Sequence, residues 1–422
     1  MRVTTLLLTG GSLLAASSGA LASGFQVNLT GQKNVGMGGT GTGLYLDGAS
    51  QFFNPGAFAF APTGVVLGGN MAIPRISFRS ATGSQEQRTL DNKNVFPFSG
   101  FASFGPKEGK WRLGFGAYTP FGSELHYKQG WEGRYSLTDI TLQAVFVQAT
   151  AAYAITPYLS IGGGLVWSAY GNVDLQRDVP IGGANTTGTA HATLTGTSTK
   201  KFGYNLGIMI KPSDKFSLGF SYRSAIDQTV NGGNLSFTNI PASAAGNFTA
   251  TGFDVTLPLP DVYSAGIGIR PTDKLTLAID ANLVRWSRYQ NLTFNYSNGT
   301  VGGSATSVSQ RQYRDAVALR GGIQYKTTSA LTLRGGVFYD FSCVKDGYVT
   351  PETPDSDRVG LTAGLTYAVG DHFGVDVSFL YENFRQRSQT QQDLIDNNTT
   401  DRVAGTYKTV IYVPGVGVYY NF

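Results

Sequence analysis

The chain has 422 residues, among them 56 Gly, 22 Tyr and 26 Phe, while only 14% of residues are charged. Glycine exceeds its usual share of about 7% and charge falls far below its usual level of about 25%, yet the wealth of aromatics excludes a disordered chain. The absence of a three-residue Gly period, the single Cys343 and a net charge of only +5 exclude collagen, an internal disulfide, a Cys-based metal site and a nucleic-acid partner.

The first residues read as an export signal. Arg2 supplies the positive start, Leu6 to Ala16 the apolar stretch, and Ala20-Leu21-Ala22 a small-x-small cleavage site, so residues 1–22 are expected to be removed. Beyond them no apolar run reaches the roughly 20 residues that a membrane helix requires. An exported chain without a helical anchor is either soluble or a closed barrel, because lipid leaves no other way to pair every backbone N–H and C=O. Residues 23–62 come next. They contain the run Gly36-Met37-Gly38-Gly39-Thr40-Gly41-Thr42-Gly43 and then Phe52-Phe53-Asn54-Pro55. This segment is too long for a frayed end and too short for a separate domain, and a segment of this size can fold inward as a hatch. The Gly run lacks the preceding strand and βαβ unit of a dinucleotide loop, and reads as tightly turning backbone.

From residue 63 to 422 the pattern changes to period two. Fourteen strands are predicted, over 65–78, 95–104, 111–118, 140–154, 159–174, 202–211, 216–223, 262–270, 274–286, 314–325, 331–341, 358–367, 373–384 and 411–422. Phe373, Val375, Val377, Phe379 and Tyr381 alternate with Gly374, Asp376, Ser378 and other polar or small residues, giving one greasy and one polar face. The gaps alternate between short and long. Pro106-Lys107-Glu108-Gly109, Pro212-Ser213-Asp214 and Pro271-Thr272-Asp273 are turns, whereas 175–201, 224–261 and 287–313 are long and rich in Ser, Thr, Asn and Gly. An even strand count, short periplasmic turns and long extracellular loops define a transmembrane antiparallel β-barrel of the bacterial outer membrane. The fold class expected is therefore all-β, a fourteen-stranded barrel with an N-terminal hatch in its lumen. Lumen-facing glycines such as Gly162, Gly207, Gly266 and Gly417 leave space for that hatch.

Catalytic chemistry is absent from the pattern. His126, His191 and His372 are far apart, the first two in predicted loops and the third in a turn, and no metalloprotease or hydrolase spacing occurs. No enzyme, cofactor or metal is expected. More informative is Tyr118-Thr119-Pro120-Phe121-Gly122, because Pro and Gly beside a spanning strand cannot hold a regular ladder. Strand three should kink or end there, leaving a gap in the wall or a notch at its rim; an ordinary loop start reads equally well.

The pieces Ser23-Gly24-Phe25-Gln26, Phe53-Asn54-Pro55, Tyr118 to Gly122, Trp131-x-Gly-Arg-Tyr135, Ser221-Tyr222-Arg223-Ser224, Arg285-Trp286-Ser287 and Pro354-Asp355-Ser356-Asp357-Arg358 occur in that order. Together they resemble the FadL family of outer-membrane transporters for long-chain fatty acids and related hydrophobic compounds, over the whole chain from Ser23. The resemblance implies passive transport: capture by extracellular loops, passage to a pocket in the barrel, and lateral release through a gap at a kinked third strand. It implies hatch or gating roles for Phe25, Asn54 and Pro55, with Gly56 standing where the family motif has Ala. It implies the lateral opening at Pro120 and Gly122, and carboxylate-holding roles for Arg177, just after strand five, and Arg314, opening strand ten. The partners expected are a hydrophobic ligand (fatty acid, detergent-like or aromatic), the lipid and lipopolysaccharide of the outer membrane, and no other subunit, the chain being a monomer. Two other readings stay open: a general diffusion porin for polar solutes, and an outer-membrane lipid-modifying enzyme.

Overall fold

A computed structural model describes residues 24–81, 90–91, 93–181, 190–399 and 401–422. The expected export signal lies outside them. The chain crosses the wall fourteen times, each crossing labelled here as one strand. They are β1 (Gly64–Asn70, resuming as Ile73–Ser80), β2 (Phe98–Phe104), β3 (Trp111–His126), β4 (Asp139–Thr156) and β5 (Leu159–Val179). There follow β6 (Ala190–Thr197, then Phe202–Ser213), β7 (Phe216–Arg223, then Gln228–Thr238), β8 (Gly252–Leu257, then Val262–Ile269) and β9 (Leu275–Val284, then Asn291–Ser297). The circuit ends with β10 (Thr306–Gln310, then Ala316–Lys326), β11 (Leu331–Asp340), β12 (Arg358–Val369), β13 (Phe373–Phe384) and β14 (Gly405–Asn421). Every pairing is antiparallel. The barrel closes where β1 lies between β14 (Val65↔Tyr420) and β2 (Val65↔Ala102).

Alternation sets the two faces. Leu113 and Phe115 on β3, Leu206 and Ile208 on β6, Phe220 on β7, Ile279 on β9 and Leu361 on β12 are all exposed on the outside, while Asn205, Ser217, Asp280, Asp376 and Ser378 are buried inside. Tyr153, Tyr158, Tyr367, Tyr420 and Phe422 cluster near the periplasmic strand ends and are also exposed, as an aromatic girdle at a membrane interface requires.

Three differences from the sequence reading have physical causes. First, several strands continue past their predicted ends. Ala190–Thr197, Gln228–Thr238, Gly252–Leu257 and Asn291–Ser297 extend the wall within segments read as loops. Above the membrane both faces of a strand meet water or polar neighbours, so the hydropathic alternation that reveals the lower part fades. Second, His126 and His191 do not sit in loops. Both lie on strands, with Nδ1 of His126 2.7 Å from Asp139 Oδ1 and Nδ1 of His191 3.0 Å from Asp178 Oδ1. Third, β3 does not end at Pro120 but continues to His126 after an irregularity, while β2 begins at Phe98 rather than 95.

The hatch occupies the lumen as three single-turn helices, α1 (Gln32–Val35), α2 (Ser50–Phe53) and α3 (Pro55–Phe58), joined by turns. Wall glycines allow its close approach. A Cβ on Gly417 would meet the Gln32 side chain at 2.8 Å, and one on Gly364 would lie 3.0 Å from Gly36 Cα. The hatch backbone cannot pair with itself as a sheet would, so inward side chains satisfy it instead. Asp280 accepts from the amides of Gly41 (2.7 Å) and Thr42 (2.8 Å). Ser160 donates to Gly56 O (2.7 Å), Ser217 to Gly43 O (2.8 Å), Ser221 to Phe53 O (2.8 Å) and Gln148 to Gln51 O (2.8 Å). Lys33 joins Asp47 of the hatch (3.2 Å) to Asp376 of the wall (3.9 Å).

Candidate functional site

The site is built from the first hatch residues, the bulge of β3 and the missing pairing beside it. Up to Tyr118, β3 pairs with both β2 and β4. There the register on β4 shifts: Tyr118 faces Phe146 but Phe121 faces Ala144, so one extra residue is inserted at Thr119-Pro120. Pro120 has no N–H to offer a ladder, and a bulge is where a strand tolerates that. Above it β3 loses β2 as a neighbour. The upper half of β1 (Ile73–Ser80) pairs with β14, and among the described residues single bridges, Ala72↔Val95 and Leu90↔Tyr127, join this part of the wall to the chain that follows, with no strand ladder between them.

The hatch tip takes the vacant side of β3. Gln26 forms an antiparallel bridge with Phe121, the Val27 amide donates to Pro120 O (2.8 Å), and the Gly122 amide donates to Phe25 O (3.2 Å). The backbone of β3 beyond the β2 ladder is thus met by residues 25–27 of the hatch. The Phe25 ring is buried, and behind it Trp286 packs edge-on against Phe121.

Beside the tip lies a cavity of about 460 Å³, within the roughly 300–1,000 Å³ typical of small-molecule sites. Leu380, Ile411 and Val413 form part of its inner wall, Phe25, Val27 and Leu29 of the hatch its floor, and Phe96, Phe98 and Thr119 its outer rim. Phe96 and Phe98 are exposed on the outside of the barrel, so the cavity reaches the lipid face through the unpaired stretch. A second, smaller cavity of about 70 Å³ lies above Phe25, between Val173, Leu175, Val230, Leu257 and Phe294. Phe25, Leu142, Gln143 and Glu352 line both. Phe25 therefore separates an upper apolar chamber from the lateral one. Tyr289 also lines the upper chamber.

Asn54 and Pro55 sit elsewhere, at the wall beneath α3. The Asn54 side chain accepts from the Gly56 amide (2.9 Å), an N-cap with Pro at the first helical position, and donates to Thr42 O (2.8 Å) and to Ile208 O of β6 (3.0 Å). Gly56 has a reason for lacking a side chain: a Cβ there would lie 2.8 Å from the backbone of Gly207. Asn54→Ala should lose the cap and the tie to β6, costing about 1–2 kcal/mol; single-channel recordings should then show leak openings absent from the parent, and a silent variant would make the anchor dispensable.

Arg177 lies within β5, opposite Ala192, rather than after the strand, and Arg314 precedes the lower part of β10. Neither lines the two cavities described above. The cations near the hatch tip are others. Arg358 lines the lateral cavity, and Arg223 and Arg320 line a void of about 60 Å³ behind Gln26–Asn28. The sequence motifs contain Arg223 and Arg358 but give them no role, because a charged side chain facing a lumen and one facing water look alike until the register of the strands is known.

The comparisons agree with this architecture. A family model described as "Outer membrane protein transport protein (OMPP1/FadL/TodX)" matches residues 13–422. Outer membrane protein P1 of Haemophilus influenzae is 23% identical over 416 residues, covering 88% of each chain, and the long-chain fatty acid transport protein of Salmonella typhi is 24% identical over 392 residues, covering 86% of this chain and 88% of that one. Among solved structures, a Pseudomonas aeruginosa FadL homologue superposes with a TM-score of 0.82 at 20% identity, covering 95% of this chain and all of that one. The Ralstonia pickettii toluene transporter TbuX gives 0.66 at 18% identity, covering 93% of this chain and 98% of that one. A closed fourteen-stranded barrel with an inward hatch and a family match along nearly its whole length thus lead to one conclusion: the chain belongs to the FadL/TodX family of outer-membrane transport proteins and is a transporter rather than an enzyme.

Proposed function

We propose that this protein carries hydrophobic molecules passively across the lipopolysaccharide-covered surface and releases them sideways into the outer membrane. The observation that carries this reading is the apolar cavity beside the bulge of β3, where among the described residues β3 has no β2 ladder and the hatch tip bonds to it instead. In this reading cargo enters the upper chamber, displaces Phe25, fills the lateral cavity and leaves past Phe98 and Thr119. Asn54 and Pro55 hold the rest of the hatch while Phe25–Val27 moves, and Pro120 and Gly122 keep the opening. Arg177 and Arg314 have no part in this path. The relatives' names, a fatty-acid transport protein and a toluene transporter, agree with apolar cargo.

The energetics favour a lateral exit. Burial contributes about 0.8 kcal/mol per methylene, so a long acyl or alkyl chain gains on the order of 10 kcal/mol in an apolar cavity. Exit into periplasmic water forfeits that gain, whereas exit into the bilayer retains it. A porin for polar solutes is the weaker reading, because the lumen is filled and hydrogen-bonded by the hatch rather than open. The test is uptake of a fluorescent apolar probe by cells carrying or lacking the protein. Protein-dependent uptake without energy input is expected, increased in Phe25→Ala, which joins the two chambers. Uptake of small sugars but not of the probe would favour the porin.

A further inference from the structure

The charge distribution around the lateral cavity bears on what kind of molecule it holds, an inference that rests on the transport reading just given. Among the described residues its lining includes the carboxylates of Glu124, Glu352 and Glu382, Asp355 that accepts from Ser342 Oγ (2.7 Å), and one guanidinium, that of Arg358. Arg358 is already engaged. Its Nη2 lies 2.9 Å from Asp340 Oδ2, its Nε 3.2 Å from the same oxygen, and its Nη1 3.9 Å from Glu382 Oε2. Behind Glu352, Arg311 Nη1 lies 2.5 Å from its Oε1, so that cation is also neutralised. The upper chamber contributes Glu352 and no cation. Arg223, which has no carboxylate partner among the described residues, is in the small void behind the hatch backbone, stacked 3.6 Å from the Phe52 ring centroid and donating to Phe52 O.

Glu382 carries the argument further. It is 8% exposed and lines the cavity, yet its carboxylate makes no hydrogen bond among the described residues and meets Arg358 only at 3.9 Å. An ionised carboxylate is an acceptor with no donor of its own, and one buried without hydrogen bonds is costly until a donor reaches it. A carboxylate on the cargo would bring like charge next to it, and the one guanidinium that lines the cavity among the described residues, Arg358, is already engaged. A hydroxyl would supply the missing donor.

We propose that the cargo of the lateral cavity is uncharged, an apolar body bearing a hydrogen-bond donor such as the hydroxyl of a long-chain alcohol or an alkylphenol, and that Glu382 receives that donor. A fatty-acid anion would instead be repelled by Glu382.

Displacement of the neutral dye 1-N-phenylnaphthylamine from the full chain in lipid nanodiscs tests this at pH 8. Dodecan-1-ol is expected to displace the dye at a concentration at least about tenfold below that of dodecanoate, the factor that one charge-assisted hydrogen bond supplies. Equal or stronger displacement by dodecanoate overturns the proposal while leaving hydrophobic transport standing. Failure of the dye and both ligands to bind overturns the transport reading together with it. Glu382→Gln is expected to narrow the alcohol-to-carboxylate ratio by at least about threefold, by removing repulsion and weakening the acceptor. Glu352→Gln, which frees the Arg311 guanidinium, should narrow it as well. A ratio unchanged in both folded variants would overturn the role given to these carboxylates.

Discussion

Deleting Pro120 should abolish uptake of hydrophobic probes while leaving a folded barrel. Tyr118 and Phe121 stand opposite Phe146 and Ala144 with one residue too many between them. Removing Pro120 leaves a single residue facing Val145, restores the regular two-residue step and supplies an amide where the imino acid had none. Residues from Phe121 onward keep their inward or outward direction, because Tyr118 and Phe121 already share the inner face. The wall then lacks the irregularity that parts β3 from β2. With the side exit closed, cargo could leave only into water, surrendering on the order of 10 kcal/mol of burial, so uptake should fall at least about tenfold. Whole-cell uptake of a fluorescent probe, read beside heat-modifiable gel mobility as the check on folding, measures both halves. A well-folded deletion with parental uptake would rule out the lateral route.

How much of this was legible in the chain depended on which physical signal each part sends. The membrane-embedded strands announce themselves because one face must be apolar and the other small or polar, and Phe373 to Tyr381 or Phe216 to Tyr222 show this without any structure. The bulge was legible as a disturbance, since Pro and Gly in a strand need a cause, but not as continuation to His126: an interrupted strand and an ordinary loop start read equally well. The ties between hatch and wall were not legible. Asp280 meets Gly41 and Thr42 across more than two hundred residues, and no local pattern marks an aspartate as a hatch anchor rather than a solvated one. The same blindness explains the basic residues. Arg358 and Glu382 meet at the lateral cavity only because the register sets Arg358 opposite Phe384 and next to Glu382 on the neighbouring strand.

A disulfide between hatch tip and wall should arrest transport reversibly. Gln26 and Phe121 face each other in the antiparallel bridge, flanked by the bonds from Val27 N to Pro120 O and from Gly122 N to Phe25 O. That arrangement makes them a non-hydrogen-bonded pair, whose Cα atoms lie about 4.5 Å apart, inside the roughly 4.4–6.8 Å that a disulfide spans. The double substitution Gln26→Cys with Phe121→Cys should therefore oxidise readily, and the native Cys343 is buried and cannot compete. If cargo passes only when Phe25 leaves its seat between the two chambers, the oxidised protein should take up no more probe than cells lacking it, and reductant should restore uptake to the level of the two single variants. The singles also isolate the loss of the Phe121 ring, which packs against Trp286 and Phe146. Undiminished uptake by fully oxidised protein would mean that the tip stays in place while cargo moves, and the hatch would then be a fixed floor of the cavity instead of its gate.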